Sequence, residues 1–305
     1  MYLEGLIIKS TGSWYQVLKL GTNLVFEARI RGKFKLLKNR LTNPLAVGDR
    51  VKFLLEKEKV AWIVDIQPRK NYLIRKSVNL SKESHIIASN IDVACFLFTL
   101  RLPETSLGFL DRFLVCCETY GIPPLILFNK TDLLDEKELG WIEGIENSYR
   151  NIGYKTIKIS CISNKNIESI KGYLTHKVSV FFGHSGVGKS TLIQRIQPQV
   201  DIKTGEISHA NAKGRHTTSF AQMYFWDFGG SVIDIPGLKE FGIIDIKREE
   251  VQNYFPEIFF YAKDCKFGNC LHTNEPKCAV IESRDKGRIP KSRYQSYTNV
   301  LEEAG

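Results

Sequence analysis

The sequence contains little of what a secreted or membrane-spanning protein needs. No apolar run approaches the ~20 residues of a membrane helix, and the most apolar one, residues 93–98, fits a buried strand. No hydrophobic leader follows the first residues, so we expect no secretion. The seven cysteines are an odd number, and four lie in apolar or strand-like segments, as buried free thiols do: Cys95, Cys116, Cys117 and Cys161. We therefore expect a cytoplasmic protein without a membrane partner.

Acidic residues are scarce relative to basic ones. Asp and Glu number 33 against 43 Lys and Arg, which gives a formal charge of +10 and a pI near 9.1. This balance favours a polyanionic partner such as nucleic acid, but charge alone fits a solvated surface equally well. With 305 residues, 43% of them hydrophobic, the chain is long enough for two or three domains, and we expect a monomer.

Residues 1–68 contain five short β-type runs separated by glycines and a Pro-containing turn. This pattern predicts a small all-β barrel, and the oligonucleotide-binding (OB) fold is the natural candidate, although other five-stranded barrels would give the same pattern. Residues 29–40 hold six basic side chains and no acidic one. Basic groups neutralise phosphates and an aromatic ring can stack on a base, so RNA contact competes here with a solvated loop. The predicted RNA-binding residues are Arg29, Arg31, Lys33, Phe34, Lys35, Lys38 and Arg40.

Residues 69–242 alternate apolar strand-like runs with amphipathic helical stretches, after a polar and basic segment up to about residue 90 that we interpret as a linker. Such alternation predicts an α/β domain, with a mostly parallel sheet flanked by helices. Residues 243–305 then change to a helix, a cysteine-rich loop and a basic C-terminal helix. We therefore predict three domains, with boundaries near residues 68 and 242.

A phosphate-binding loop follows the apolar run Val178 to Phe182. The segment G-H-S-G-V-G-K-S matches the pattern G-x-x-x-x-G-K-[ST] and precedes a helical stretch, which is the context that the motif requires. Its backbone N–H groups should surround the β-phosphate, Lys189 should reach the β- and γ-phosphates, and the Ser190 hydroxyl should bind Mg²⁺. The predicted contacts are Gly183, His184, Ser185, Gly186, Val187, Gly188, Lys189, Ser190 and Thr191.

The base is indicated by N-K-T-D, which follows the apolar run Leu125 to Phe128 and fits the N-K-x-D pattern of guanine-nucleotide proteins. A carboxylate at Asp132 can accept both the ring N–H and the exocyclic amine of guanine, a pairing that adenine cannot offer. Ser160 and Cys161, at the end of another strand-like run, occupy the position of a further guanine-contacting loop. The predicted guanine contacts are Asn129, Lys130, Thr131, Asp132, Ser160 and Cys161.

The switch elements come last. D-I-P-G at residues 234–237 matches D-x-x-G, in which Asp234 would hold Mg²⁺ through water and the Gly237 amide would sense the γ-phosphate. The loop G-R-H-T-T supplies a switch threonine, and we favour Thr218 over Thr217 as the Mg²⁺ ligand. The predicted Mg²⁺ site therefore consists of Ser190, Thr218 and Asp234.

Three cysteines and one histidine lie close together near the C-terminus, in the pattern C-x4-C-x-H-x5-C. Zn²⁺ in structural sites takes four such ligands, whereas disulfides are disfavoured in the cytoplasm. We predict one structural Zn²⁺, bound by Cys265, Cys270, His272 and Cys278.

The order of the motifs is permuted. Guanine-nucleotide switches ordinarily begin with the phosphate loop, whereas here N-K-x-D and Ser160 precede it. A parallel sheet tolerates this order because ligands bind at the carboxyl ends of its strands whatever their order in the chain. One consequence is that the γ-phosphate sensor comes directly before the predicted zinc domain.

Together, these motifs resemble those of the circularly permuted, ribosome small-subunit-dependent GTPases, the RsgA family, over nearly the whole chain. The resemblance implies an OB barrel, a permuted GTPase domain of the P-loop NTPase class and a zinc domain. It also implies that the chain acts with GTP and GDP on the small ribosomal subunit and its rRNA during late maturation, and that GTP hydrolysis drives its release. Ile235 departs from the threonine that is frequent in that family.

The residue after D-x-x-G bears on catalysis. Leu238 follows the D-x-x-G glycine, where Ras-like switches carry the glutamine that orients water. We expect slow intrinsic hydrolysis, with Lys189, Thr218 and His216 as the catalytic groups; His216 could equally pack its loop. The alternative function is an RNA-binding assembly factor with little stimulated turnover. An ATPase or kinase would use the phosphate loop but would make no use of the N-K-x-D motif.

Overall fold

A computed structural model describes residues 2–31, 44–55, 60–76, 84–199, 220–235 and 246–304. The strands in these residues are β1 Leu3–Ser10, β2 Tyr15–Lys19, β3 Val25–Ile30, β4 Arg50–Leu55, β5 Ala61–Ile66, β6 Tyr72–Lys76, β7 Ser84–Ser89, β8 Val93–Phe98, β9 Pro124–Phe128, β10 Lys155–Lys158, β11 Val178–Phe182, β12 Gln222–Phe225 and β13 Ser231–Asp234. The α-helices are α1 Leu107–Tyr120, α2 Glu136–Ile152, α3 Ile167–Leu174, α4 Lys189–Ile196, α5 Pro256–Ala262, α6 Ala279–Asp285 and α7 Lys291–Glu303.

The first five strands form a closed barrel in the order β1-β2-β3-β5-β4, and β4 pairs back onto β1. Alternate residues of β2 and β5 point inward and are buried, as expected for strands with one face in a core. The core includes Ile7, Val17, Phe53 and Ile63, which are fully buried. The five-stranded OB-type barrel predicted from the sequence is confirmed.

A mainly parallel sheet follows, in the order β10-β9-β8-β11-β13-β12. All six residues of β8 are buried, because helices cover both faces of this sheet. Strand β12 is antiparallel to β13 and also contacts β1 of the barrel through one pair, Lys9 and Gln222. The predicted linker after the barrel is wrong in part, since β6 and β7 pair there as an antiparallel hairpin.

Local signals define the helices that flank the site. The side chain of Ser106 caps α1 by accepting a hydrogen bond from the Phe109 amide (3.2 Å), and Gly121 ends this helix in the left-handed region, with φ 63°. Asp135 and Glu138 form a capping box at the start of α2.

The C-terminal residues form a small helical unit around a core of their own that includes Val251, Phe255, Ile258 and Val280. Val115 of α1 is buried in the same core, so this unit packs directly on the α/β sheet domain. No helix in the described part of the chain combines the length and the apolar character needed to cross a bilayer.

Candidate functional site

The predicted nucleotide motifs follow the carboxyl ends of neighbouring parallel strands. Pairing of β8 with β9, of β9 with β10 and of β8 with β11 aligns the ends of these four strands. Asn129 follows β9, Ser160 follows β10 and Gly183 follows β11, while Asp234 ends β13. The sheet therefore brings the motifs together at one edge, even though the chain visits them in permuted order.

The phosphate loop needs glycine at two positions where the backbone passes close to its neighbours. Gly183 has φ 139°, and a Cβ there would lie 2.8 Å from the Leu97 carbonyl oxygen. Gly188 has φ 102°, and a Cβ would lie 2.5 Å from Nδ2 of Asn129. Both values of φ lie in the region that favours glycine. The loop can therefore curl against the guanine-reading loop.

Lys189 and Ser190 open α4 directly after this loop. The ammonium of Lys189 donates to the carbonyl oxygens of Gly183 and His184, at 2.7 and 2.8 Å, which holds it inside the loop. Ser190 and Thr191 are half-buried in the first turn, whereas Ser185 and Gly186 are exposed and Val187 is buried beneath them. The N-terminus of α4 thus faces the same space as the exposed part of the loop, as in helix N-terminal anion sites.

Asn129 joins the guanine-reading loop to the phosphate loop. Its side-chain Nδ2 donates to the Val187 carbonyl oxygen at 2.8 Å, and its backbone N–H donates to Phe98 at 2.8 Å. Its Oδ1 accepts from the amide and the thiol of Cys161, each at 3.4 Å. One buried amide therefore ties three predicted nucleotide loops together.

The other residues of this motif fix the loop or face solvent. Lys130 donates from Nζ to the carbonyl oxygen of Gly186 at 2.8 Å and also to that of Leu102. The hydroxyl of Thr131 donates to the Ile159 carbonyl oxygen at 3.0 Å. Asp132 is exposed, so its carboxylate is accessible to a base. The contact with Leu102 was missed by the sequence reasoning, because the loop after β8 carries no motif.

Ser160 and Cys161 are buried beside Asn129. The Ser160 hydroxyl oxygen accepts from the amide of Ser163 at 3.0 Å, which shapes the turn after β10. Burial raises the pKa of the Cys161 thiol to about 11, so the thiol stays protonated and can donate to Asn129.

Asp234 lies at the end of β13, beside β11. Parallel pairing of Ser179 with Val232 brings the end of β13 next to the strand that leads into the phosphate loop. The Asp234 carboxylate is half-buried, and this desolvation raises its pKa to about 6. The predicted site residues His216, Thr218 and Gly237 lie outside the described residues.

The predicted zinc ligands form one compact cluster. The ligand atoms of Cys265, Cys270, His272 and Cys278 all lie within 4.8 Å of one another. The Cys265 and Cys278 sulfurs are 3.8 Å apart, and His272 Nδ1 is 3.5 and 3.4 Å from them. Thiolates bound tetrahedrally to one Zn²⁺ at ~2.3 Å would lie about 3.8 Å apart. The donor set and its spacing therefore fit Zn²⁺.

A second layer of contacts orients the histidine of this cluster. His272 Nε2 lies 2.8 Å from Oε1 of Gln252, an acceptor, so the proton is on Nε2 and Nδ1 is free to bind a metal. Burial lowers the pKa of His272, which favours the neutral imidazole that metals require. The hydroxyl of Tyr294 donates to the His272 carbonyl oxygen at 2.6 Å. Gln252 and Tyr294 were missed by the sequence reasoning, since neither residue belongs to the ligand pattern.

The basic segment of the barrel is described only at its start. The Arg29 guanidinium is exposed and lies 3.7 Å from the centroid of the Trp14 ring. Arg31 is also exposed. Of the other predicted RNA-binding residues, Lys33, Phe34, Lys35, Lys38 and Arg40 lie outside the part of the chain that the structure describes. The pair of Arg29 with Trp14 combines a positive charge and an aromatic face, which suits contact with RNA.

Comparison with known proteins gives matches along the whole chain. The family model for the RsgA GTPase matches residues 66–244, and the model for the RsgA N-terminal domain matches residues 4–63. A Bacteroides thetaiotaomicron protein named small ribosomal subunit biogenesis GTPase RsgA 2 is 49% identical over 301 residues, which cover 99% of this chain and 97% of that protein. A Christiangramia forsetii protein named small ribosomal subunit biogenesis GTPase RsgA is 49% identical over 303 residues, 98% of this chain and 96% of that protein.

Solved structures agree with these matches. The crystal structure of YjeQ from Thermotoga maritima has a TM-score of 0.82 and 32% identity, and the match covers 99% of this chain and 98% of that one. That of YloQ, described as a circularly permuted GTPase, has a TM-score of 0.79 and 33% identity, with 99% and 95% covered. The permuted order of nucleotide motifs is therefore confirmed at the level of the fold. The chain belongs to the RsgA GTPase family.

Proposed function

We propose that this chain hydrolyses GTP as a late maturation factor of the small ribosomal subunit, binds its rRNA, and is released when GTP is hydrolysed. The observation that carries the GTP part is the Asn129 side chain, which joins the guanine-reading loop to the phosphate loop at 2.8 Å from Val187. The ribosomal part rests on the names of the RsgA relatives, which are 49% identical over nearly the full chain. We propose that the chain acts as a cytoplasmic monomer.

In this proposal Asp132 reads guanine, and the phosphate loop with Lys189 binds the β- and γ-phosphates. The exposure of Asp132 supports this role, because its neighbours Asn129 and Thr131 are buried. Ser190 and Asp234 hold Mg²⁺ together with Thr218, and Gly237 senses the γ-phosphate. Bound Mg²⁺ would offset charge on the phosphate oxygens during transfer.

The proposed zinc is structural. Cys265, Cys270, His272 and Cys278 supply four protein ligands, which leaves no coordination position for a substrate. Zinc would then stabilise the loop between α5 and α6, which has no regular secondary structure of its own. We assign residues 1–68 to an RNA-binding barrel, 69–242 to the GTPase domain and 243–305 to the zinc domain. Separate hydrophobic cores in the barrel and in the C-terminal helices support this division.

We assign the catalytic step to His216, which would move toward the γ-phosphate when the chain docks on the subunit. The experiment compares subunit-stimulated GTP turnover of His216→Ala with that of the wild type, after both are shown to bind GTP equally. Loss of stimulation is expected. Unchanged stimulation would leave His216 with a packing role only.

Binding to the ribosome is tested by co-sedimentation with purified small and large subunits, in GDP and in a non-hydrolysable GTP analogue. We expect the chain to sediment with the small subunit in the analogue and to be released in GDP. Replacing Arg29 with Gln should weaken this binding and reduce its salt dependence, because one phosphate contact is lost. Binding that ignores the nucleotide would favour the alternative function, an RNA-binding assembly factor without a useful switch.

A further inference from the structure

Helix α1 touches the phosphate loop at its first turn. The ring of Phe109 is stacked on the ring of His184, with centroids 4.1 Å apart and an interplanar angle of 18°. The Phe109 ring also packs against the ring of Phe96 in β8, with centroids 5.4 Å apart. His184 is an exposed residue, so this stack adds a contact of the loop with α1 to those that Asn129 and Lys130 make with Val187 and Gly186.

The same helix is fixed to the C-terminal unit two residues further on. Asp111 is buried, and its two carboxylate oxygens accept from Arg293 at 2.8 Å and from Ser296 at 2.5 Å, both in α7. The Arg293 guanidinium is buried as well and also donates to Glu257 of α5 at 2.6 Å. A buried ion pair of this kind is costly to break, because either partner alone would be an uncompensated charge. These buried contacts tie helix α1 to helix α7.

His184 in turn affects the catalytic lysine. Its carbonyl oxygen accepts from Nζ of Lys189 at 2.8 Å, so a shift of His184 moves an anchor of that ammonium. The ring and the carbonyl belong to one residue in a loop where Gly183 and Gly186 on either side have positive φ. The stacked ring and the carbonyl that accepts from Lys189 are therefore only a few bonds apart.

We propose that Phe109 is a positioning residue for the phosphate loop, and that α1 couples occupancy of that loop to the C-terminal helices. This route differs from one through the D-x-x-G switch. It responds to a nucleotide that fills the phosphate loop, GDP included, whereas the D-x-x-G route responds to the γ-phosphate. By linkage the coupling is reciprocal, so C-terminal contacts on the ribosome would change nucleotide affinity.

The first test is a double-mutant cycle on GDP affinity with Phe109→Leu, His184→Ala and the double variant. Stacked aromatic pairs contribute enough to change affinity by about 3- to 10-fold. Each single variant should lose about that factor, and the double variant should bind no more weakly than the weaker single one. Phe109→Tyr keeps the ring and should restore binding. Tyr120→Leu, at the other end of α1 and packed on Tyr72, is the matched control and should bind as the wild type does.

The second test is amide hydrogen exchange of α7, which a purely local packing role for Phe109 would not affect. GDP should slow exchange of α7 in the wild type, and Phe109→Leu should abolish that protection at saturating GDP. A D-x-x-G route would make exchange in residues 251–278 differ between GDP and a non-hydrolysable GTP analogue, and that difference should persist in the variant. Additive losses in the cycle, or α7 protection that is equal in the wild type and Phe109→Leu, would overturn the proposal.

Discussion

Replacing Asp234 with Asn should make the protein more stable while it removes the proposed Mg²⁺ contact. Burial raises the pKa of this carboxyl from 3.8 to about 6, so the folded protein binds the proton more tightly than the unfolded chain does. Stability is therefore lost as pH rises from about 4 to about 6, when the carboxyl ionises. Each pKa unit corresponds to ~1.4 kcal/mol, so the ionised carboxylate costs about 3 kcal/mol.

The size of the effect depends on pH in a way that can be measured. The free energy of unfolding of Asp234→Asn should exceed that of the wild type by about 3 kcal/mol at pH 8 and by about half as much at pH 5. At pH 5 the carboxyl is mostly protonated in the folded wild type but still mostly ionised in the unfolded chain, so about half of the cost remains. Urea unfolding without added Mg²⁺ or nucleotide gives both values, and no chelator is used because it would remove the proposed structural Zn²⁺. Asp132→Asn is the control, since that side chain is exposed and surface changes usually stay within about 0.5 kcal/mol.

The functional half of this prediction has the opposite sign. Asp234→Asn should lose the Mg²⁺-dependent part of GTP affinity, because an amide is a weaker partner for the water shell of Mg²⁺ than a carboxylate. A site that is strained for its function gains stability when the strain is removed. A variant that is no more stable at pH 8, or one whose advantage grows as the pH falls, would show that the ionised Asp234 carboxylate does not destabilise the fold.

The remaining predictions concern the interface, the zinc site and the phosphate loop. Arg293→Met should lower the free energy of unfolding by about 3–5 kcal/mol, because it leaves buried carboxylates unpaired. Arg112→Met loses an exposed ion pair and should lower it by about 1 kcal/mol or less. Equal losses of the two variants in urea unfolding would count against a buried network. Gln252→Ala should weaken zinc binding about 10- to 100-fold, measured by competition with a chelator, and unchanged affinity would show that its bond to the histidine is dispensable. Gly188→Ala should abolish GDP binding, because the added Cβ has no room beside Asn129. Gly172→Ala is the control and should bind GDP normally, because a Cβ there meets nothing within 4 Å. GDP binding by Gly188→Ala would contradict the close approach of the phosphate loop to the guanine-reading loop.

The sequence was informative where chemistry restricts the residue types. The strand Val178 to Phe182 was predicted with the bounds that the structure gives β11, because a continuous apolar run precedes a glycine-rich loop. The four predicted metal ligands do lie together, and they could be predicted because few other residue types bind Zn²⁺. The five-stranded barrel followed from turn signals between short β-type runs.

Contacts between distant segments were beyond the sequence. No local pattern relates Asn129 to Val187, or Asp111 to Arg293, because these pairs depend on how strands and helices are arranged in space. The hairpin of β6 and β7 was not predicted, because the polar and basic composition of the segment after the barrel is typical of a linker. Phe109 and His184 carried no sign of their stacking, because a phenylalanine in a helix is usually a core residue.

We propose that Asp132 reads the base of a GTP molecule whose hydrolysis the small ribosomal subunit stimulates. The most direct test is turnover of GTP and of xanthosine triphosphate by the wild type and by Asp132→Asn, each with and without purified small subunits. An asparagine amide donates where the carboxylate accepts, so it pairs with the 2-oxo group of xanthine in place of the 2-amino group of guanine. We predict that the variant prefers xanthosine triphosphate and that small subunits stimulate this new activity. An unchanged preference for GTP would show that Asp132 does not read the base, and turnover that small subunits leave unchanged would rule out stimulation by the subunit.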